Sequence, residues 1–159
     1  MNFSITQKLD TREYAKMMFI GLNRKPAFIV STIVGLYLLI TVLLDHLKVI
    51  NYDNSSPLYD IIIGALLLLA PTLIVIITVN QFKSNPNFQN DMTFTFGEEL
   101  FVVQGITFKS EVSWVHITKQ KEIGKFLILY HTKKFGNIID KSKLTTEQLL
   151  FIKAKVAKK

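Results

Sequence analysis

Two stretches of the chain are apolar on every side. Residues 27–44 (AFIVSTIVGLYLLITVLL) and 61–79 (IIIGALLLLAPTLIVIITV) carry no charge. A helix rises about 1.5 Å per residue, so each covers roughly 27–29 Å, close to the ~30 Å hydrocarbon core of a bilayer. A helix on a soluble core normally keeps a polar stripe, which these lack. They predict transmembrane helices, drawn at 26–46 and 61–82, joined by a loop at 47–60. The first follows 26 residues and ends without a small-residue cleavage site, so it reads as a retained anchor and not a signal peptide.

Outside these stretches the period changes. Residues 10–24 predict a short amphipathic helix within an N-terminal segment, 1–25. Asp10 is its N-cap with Glu13 three residues on. Tyr14, Met17, Met18 and Leu22 lie on one face, with Arg12 and Lys16 elsewhere. Such a helix suits either a lipid interface or packing on a neighbouring domain. Residues 83–90 are polar, contain Pro86, and read as a linker. Then Met92, Phe94 and Phe96 alternate with Thr93 and Thr95, the period of a half-buried strand. Gly97-Glu98-Glu99 predicts a turn, 100–104 the return strand, and 108–121 one long or bent strand holding Val112 and Trp114. Gly124 breaks it, Phe126–Thr132 is a buried strand, Lys133-Lys134 a turn, and 136–139 the start of a last strand. Thr145 with Gln148 forms a capping box for a helix to about Ala157, presenting Leu149, Ile152 and Val156.

The predicted fold is an α+β membrane protein. Two transmembrane helices precede a domain at 91–159, a pleckstrin-homology-like antiparallel β half-barrel capped by a C-terminal helix. A generic sheet-and-helix domain is the alternative. Within the spans, Ala27, Ser31 and Gly35 recur every four residues, and Gly64 and Thr72 offer a facing surface. Small residues let helix backbones approach closely. Pro71 removes one backbone hydrogen bond and predicts a kink.

Charge adds an orientation. Residues 1–25 hold five cations against two acids, and residues 45–60 one Lys against three acids. The remainder holds 13 Lys against seven acids, and the whole chain is +7. Lys and Arg beside spans stay on the cytoplasmic side. Both termini are therefore expected in the cytoplasm of a plasma-membrane protein, with the loop outside. This topological signal accounts for the basicity, so no nucleic-acid partner is expected. The expected partners are the bilayer and either a protein or a second copy of the chain.

Candidate chemistry is sparse. There is no Cys, which removes disulfides, thiolate metal sites and thiol nucleophiles. Gly-rich phosphate loops, HExxH and Gly-x-Ser-x-Gly are missing from the sequence. His116 and His131 suit strand neighbours without a carboxylate. Neither span carries an ionisable residue for an ion path. No catalytic residue, metal, cofactor or specific small-molecule substrate is expected. The candidate contacts for a partner or lipid surface are Trp114, Lys133, Lys134, Lys141 and Lys143. Lys153, Lys155, Lys158 and Lys159 form a further basic cluster.

The stretch SWVHITKQKEIGKFLILYHTKKFGNIIDKSKLTTEQLLFIKAKV resembles YcxB-like proteins. In those a strand Trp is followed by a strand rich in Leu, Ile and Tyr, a short Ile-Ile-Pro-Lys element, and a helix with a polar cap. Trp114, Phe126–Tyr130, Ile138-Ile139 and Lys141 fall in that order, with Asp140 in place of the usual Pro. The interfacial stretch around Tyr14 and the two spans are similar as well. The resemblance implies a bacterial inner-membrane protein with a cytoplasmic pleckstrin-like domain and supplies no catalytic residues. Lipid-binding members of that fold grip phosphate with a basic first hairpin loop. Read as Gly97-Glu98-Glu99, that loop is acidic here, so no selective headgroup binding is expected. Two functions suit these features. One is a non-enzymatic module presenting its cytoplasmic domain to a protein partner or to itself. The other is an immunity or stress factor that neutralises a membrane-active protein through its spans.

Overall fold

The computed structural model describes residues 1–52, 56–132 and 135–157. The chain divides into two compact units, one built from Met1–Met17 with Asn80–Lys159 and the other from Met18–Val79.

The first unit begins with a strand, β1 (Phe3–Gln7), that pairs antiparallel with β2 (Met92–Phe96) in the register Phe3↔Phe96 to Gln7↔Met92. This corrects the assignment of residues 1–25 to an amphipathic segment apart from the 91–159 domain. Phe3 and Ile5 alternate with Ser4 and Thr6, a strand pattern. Ser4 and Thr6 hydrogen-bond Thr95 and Thr93 across the exposed face at 2.9 and 3.0 Å. The sheet continues through β3 (Leu100–Gln104) and β4 (Lys109–Ser113), in the order β1-β2-β3-β4. A second antiparallel sheet follows, β5 (Lys119–Ile123), β6 (Phe126–Tyr130) and β7 (Gly136–Asp140). Among the described residues the sheets do not form a closed barrel. The turn from β5 to β6 uses Gly124 at φ +58°, a backbone conformation costly for other residues.

The expected strand over 108–121 is two strands. A one-turn 3-10 helix, Trp114–His116, separates them and carries the chain from one sheet to the other. Trp114 therefore leaves the strand and enters the core. Its indole N–H donates to the Gly97 carbonyl at 3.0 Å. Its ring lies 5.0 Å from Phe101 and 6.4 Å from Phe151. Phe151 also meets Phe3 at 5.9 Å, so the C-terminal helix α5 (Thr146–Ala157) packs on the Phe3–Phe96–Trp114 end of the sheet. Its capping box forms as expected. Gln148 N–H donates to Thr145 Oγ1 at 3.2 Å, and Thr145 N–H to Gln148 Oε1 at 2.9 Å.

Helix α1 (Thr11–Asn23) starts at Asp10, whose Oδ1 accepts from the N–H groups of Arg12 and Glu13. Tyr14 stacks on Phe82 at 4.3 Å, and Phe82 on Phe88 at 5.3 Å. The early part of α1 thus packs on protein. The expected linker is also ordered: helix α3 continues to Ser84, and a short helix α4 (Pro86–Gln89) follows, capped by Asn85.

The second unit is a helical pair. Helix α2 runs Pro26–His46 and α3 runs Pro57–Ser84, each with Pro in its first turn, where the missing N–H costs nothing. Both are long and apolar enough to cross a bilayer. Much of their apolar surface is open; Val30, Ile33 and Tyr37 are 57%, 61% and 60% exposed. The seam is built from small residues. A Cβ added to Gly35 would meet the Gly64 carbonyl oxygen at 2.9 Å, and one added to Gly64 would meet the Gly35 oxygen at 3.0 Å. Ala27 and Thr72 are exposed and stand outside the seam, which continues instead through the buried Pro71 and Val75. Ser31 Oγ donates to the Leu67 carbonyl at 2.9 Å. That carbonyl is the one four residues before Pro71, which has no N–H to offer it. The neighbouring helix therefore supplies the donor that proline removes.

Candidate functional site

A cavity of about 520 Å³ lies in the first unit, beside β4. Val103, Phe108 and Val112 supply its apolar part, and Ser110, Glu111, His116, His131 and Asn137 its polar part. β4 supplies Ser110–Val112 and, among the described residues, pairs only with β3, so one strand edge lies along the opening. His116 and His131 both line this cavity, but as the last residue of the 3-10 helix and the residue after β6, not as the strand neighbours expected. The carboxylate that the sequence did not place there is Glu111, brought in by the two-sheet topology. No group of three His, Cys, Asp or Glu side chains close enough to hold a metal occurs among the described residues.

Several of the charged groups neutralise one another. Glu98 takes Lys155 at 2.5 Å and the Met1 amine. The hydrogen bond from Lys155 is the main reason its carboxyl is held down at about 2. Glu122 takes Lys141 and, at 2.6 Å, Lys153; these donors likewise lower its pKa, Lys141 first. Lys141 and Lys155 are thus engaged within the domain instead of forming free phosphate-gripping clusters. Lys143 is exposed. Lys133, Lys134, Lys158 and Lys159 lie outside the described residues. Trp114, a candidate surface contact, is buried and gives its indole N–H to Gly97.

The sequence also missed the joint between the sheets. Gln7 is buried, and its amide acts as a strand partner for β7: Nε2 donates to the Ile138 carbonyl at 2.7 Å, and Oε1 accepts from the Asp140 N–H at 2.7 Å. Asp140 stands where the resemblance expects Pro. A proline has no N–H, so the departure matches the use that Gln7 makes of this position. Burial raises the Asp140 pKa, but hydrogen bonds from Lys125 and Ser142 outweigh it and hold the carboxyl below its ordinary range. Lys125 bridges Glu13 and Asp140 at 2.7 and 2.9 Å, and these bonds raise its own pKa, Glu13 first. Glu13, expected in a capping box, thereby ties α1 to the second sheet.

The β1–β2 pairing changes the lipid argument. The first hairpin connection runs from Gln7 to Met92 and contains all the helices from α1 to α4; Gly97-Glu98-Glu99 is the second. The acidity of that turn therefore says nothing about a first-loop phosphate site.

The family model described as YcxB-like protein matches residues 96–156. The match runs from the end of β2 through α5 and includes Trp114, Phe126–Tyr130 and Ile138-Ile139. The resemblance is thus shown for this segment, under half of the chain, while β1 and the two long helices lie outside it. No curated protein and no solved structure matches the chain.

Proposed function

We propose that this is a non-enzymatic membrane protein, a pleckstrin-like domain built around an inserted transmembrane hairpin. It presents the domain at the cytoplasmic face to a protein partner or to a second copy. The observation that carries this reading is the pairing of Gln7 with Met92. One sheet cannot be assembled from pieces on opposite sides of a bilayer. The chain between these residues must therefore cross an even number of times, and it contains two helices suited to crossing. The charge distribution selects the side, with the acidic loop outside. Four strands, then three, then a capped helix is the order of elements expected of the pleckstrin-like architecture.

The presenting surface is the cavity beside β4, where a free strand edge, apolar side chains and two histidines meet. An extended segment adding to such an edge gains main-chain hydrogen bonds, with alternate side chains in the cavity. The test is a photo-crosslinking side chain in place of Ser110, in the full chain in membranes, with Glu147 as the control site. A discrete protein adduct from position 110 alone supports the reading. Equal labelling from both sites, or lipid adducts alone, contradicts it.

A further inference from the structure

We propose that the turn between β3 and β4, Gly105–Phe108, is a second membrane contact that sets Ile106 into the lipid interface. The proposal rests on the membrane reading above and adds a lipid-facing surface to the cytoplasmic domain. The turn has unusual chemistry. Tight turns favour Gly, Asn, Asp and Pro, yet this one places Ile-Thr at its tip and Phe just after. Ile106 is 65% exposed and Phe108 38%.

The exposure comes with a fixed geometry. Gly105 N–H donates to the Phe108 carbonyl at 2.9 Å. The N–H and hydroxyl of Thr107 both donate to Asn87 Oδ1, at 3.2 and 2.9 Å. The Phe108 ring lies over Gly105, where an added Cβ would stand 2.6 Å from it. The turn is thus fixed by a hydrogen bond at its base, from Gly105, and by those of Thr107 at its tip, with the Ile106 side chain left exposed.

Its tether identifies what it faces. Asn87 lies three residues beyond Ser84, where the long apolar helix α3 ends. The turn is therefore pinned to the segment by which the chain leaves that helix. Strand direction agrees. Gln7, Met92, Gln104 and Lys109 share one end of the sheet, and both connections to the helices depart from it. The opposite end is covered by α5. Phe88, in the same short helix as Asn87, adds a third exposed apolar side chain. Lys83 precedes this helix and Lys109 follows Phe108, both exposed; cations beside an apolar tip suit anionic headgroups. The occupant is a lipid surface, reached without a free ligand because the domain is already tethered to it.

The cysteine-free chain allows a direct test. Single nitroxides are placed at Tyr37→Cys, Ile106→Cys and Glu147→Cys in the full-length protein, reconstituted in phosphatidylethanolamine–phosphatidylglycerol vesicles. Collisions with oxygen, enriched in lipid, are compared with those of a water-soluble nickel chelate. The expected result is an oxygen-to-nickel ratio at 106 several-fold above that at 147 and below that at 37. A ratio at 106 equal to that at 147, with 37 in lipid, overturns the proposal and leaves the membrane reading standing. Shielding of 106 from both reagents also overturns it, in favour of a protein contact. A water-exposed 37 overturns both.

Discussion

The hydrogen bond between Ser31 and the Leu67 carbonyl should exist because of Pro71, and that dependence can be measured. Replacing Ser31 by Ala removes the side-chain donor to that carbonyl, and with Pro71 present the ordinary i to i−4 bond cannot replace it. Hydrogen bonds between membrane helices average about 0.6 kcal/mol and reach about 1.7. With the local donor missing, the upper half of that range applies, so Ser31→Ala should cost about 1–1.5 kcal/mol. In a Pro71→Ala background, residue 71 regains its N–H and bonds Leu67 along the helix. There Ser31→Ala should cost only a few tenths, so the cycle yields a coupling of about 1 kcal/mol. Thr32→Ala is the control, since Thr32 Oγ1 bonds Phe28 on its own helix at 2.8 Å; its effect should be the same in both backgrounds. The assay is reversible unfolding of the full chain in mixed micelles, followed by circular dichroism. A Ser31→Ala cost that is unchanged by Pro71→Ala would refute the reasoning.

Trp114→Ala should destabilise the chain by about 3–5 kcal/mol, since it empties a buried aromatic site and leaves the Gly97 carbonyl without its donor; a thermal midpoint within a few degrees of wild type would contradict this. Residues 91–159 alone should fail to melt cooperatively, for lack of β1 and Gln7, whereas 1–17 joined to 80–159 by a short Gly-Ser linker should do so, as Tyr14 and Phe82 are already in contact; equal behaviour of the two chains would remove the role of β1. Asp140→Pro should be worse than Asp140→Ala, because only Pro deletes the N–H that Gln7 accepts; thermal midpoints in the reverse order would discount that bond. Asp140, Glu122 and Glu98 all have lowered pKa values in the folded state, so their contribution is complete above the ordinary carboxylate range and is lost as pH falls from about 4 toward 2; Asp140→Asn should flatten that acid limb, and an unchanged slope would show the pairing to be inert.

How much of this was legible in the sequence depended on how far apart the interacting residues lie. The apolar helices, the alternation at 92–96 and the Thr145–Gln148 box are local patterns; they form as expected, except that the second helix starts at Pro57, inside the stretch read as loop. Phe3–Gln7 also alternates, but five residues make a weak signal, and its partner strand begins 85 positions after Gln7. Gln7 looks like any polar residue until Ile138 and Asp140 are brought beside it. Val112 and Trp114 sit two apart, which suggested one strand face, whereas the chain turns sharply at Trp114 to change sheets. In the helix seam, spacing found Ser31, Gly35 and Gly64 but also included Ala27 and Thr72, because a four-residue repeat does not say where one helix leaves the other. Ile106 carries no periodic signal in a turn, and Phe108 reads as the first residue of the strand over 108–121, whereas it closes the turn before β4.

The central claim is that β1 and β2 stand in one sheet on one side of a bilayer, with a two-crossing hairpin between them. Single cysteines at Asn2, Val49 and Glu147, probed with a membrane-impermeant maleimide in intact spheroplasts and again after permeabilisation, test it most directly. The account predicts that Val49→Cys labels in intact spheroplasts, and that Asn2→Cys and Glu147→Cys label only after permeabilisation. Labelling of positions 2 and 147 from opposite sides, or of all three from the same side, would contradict it.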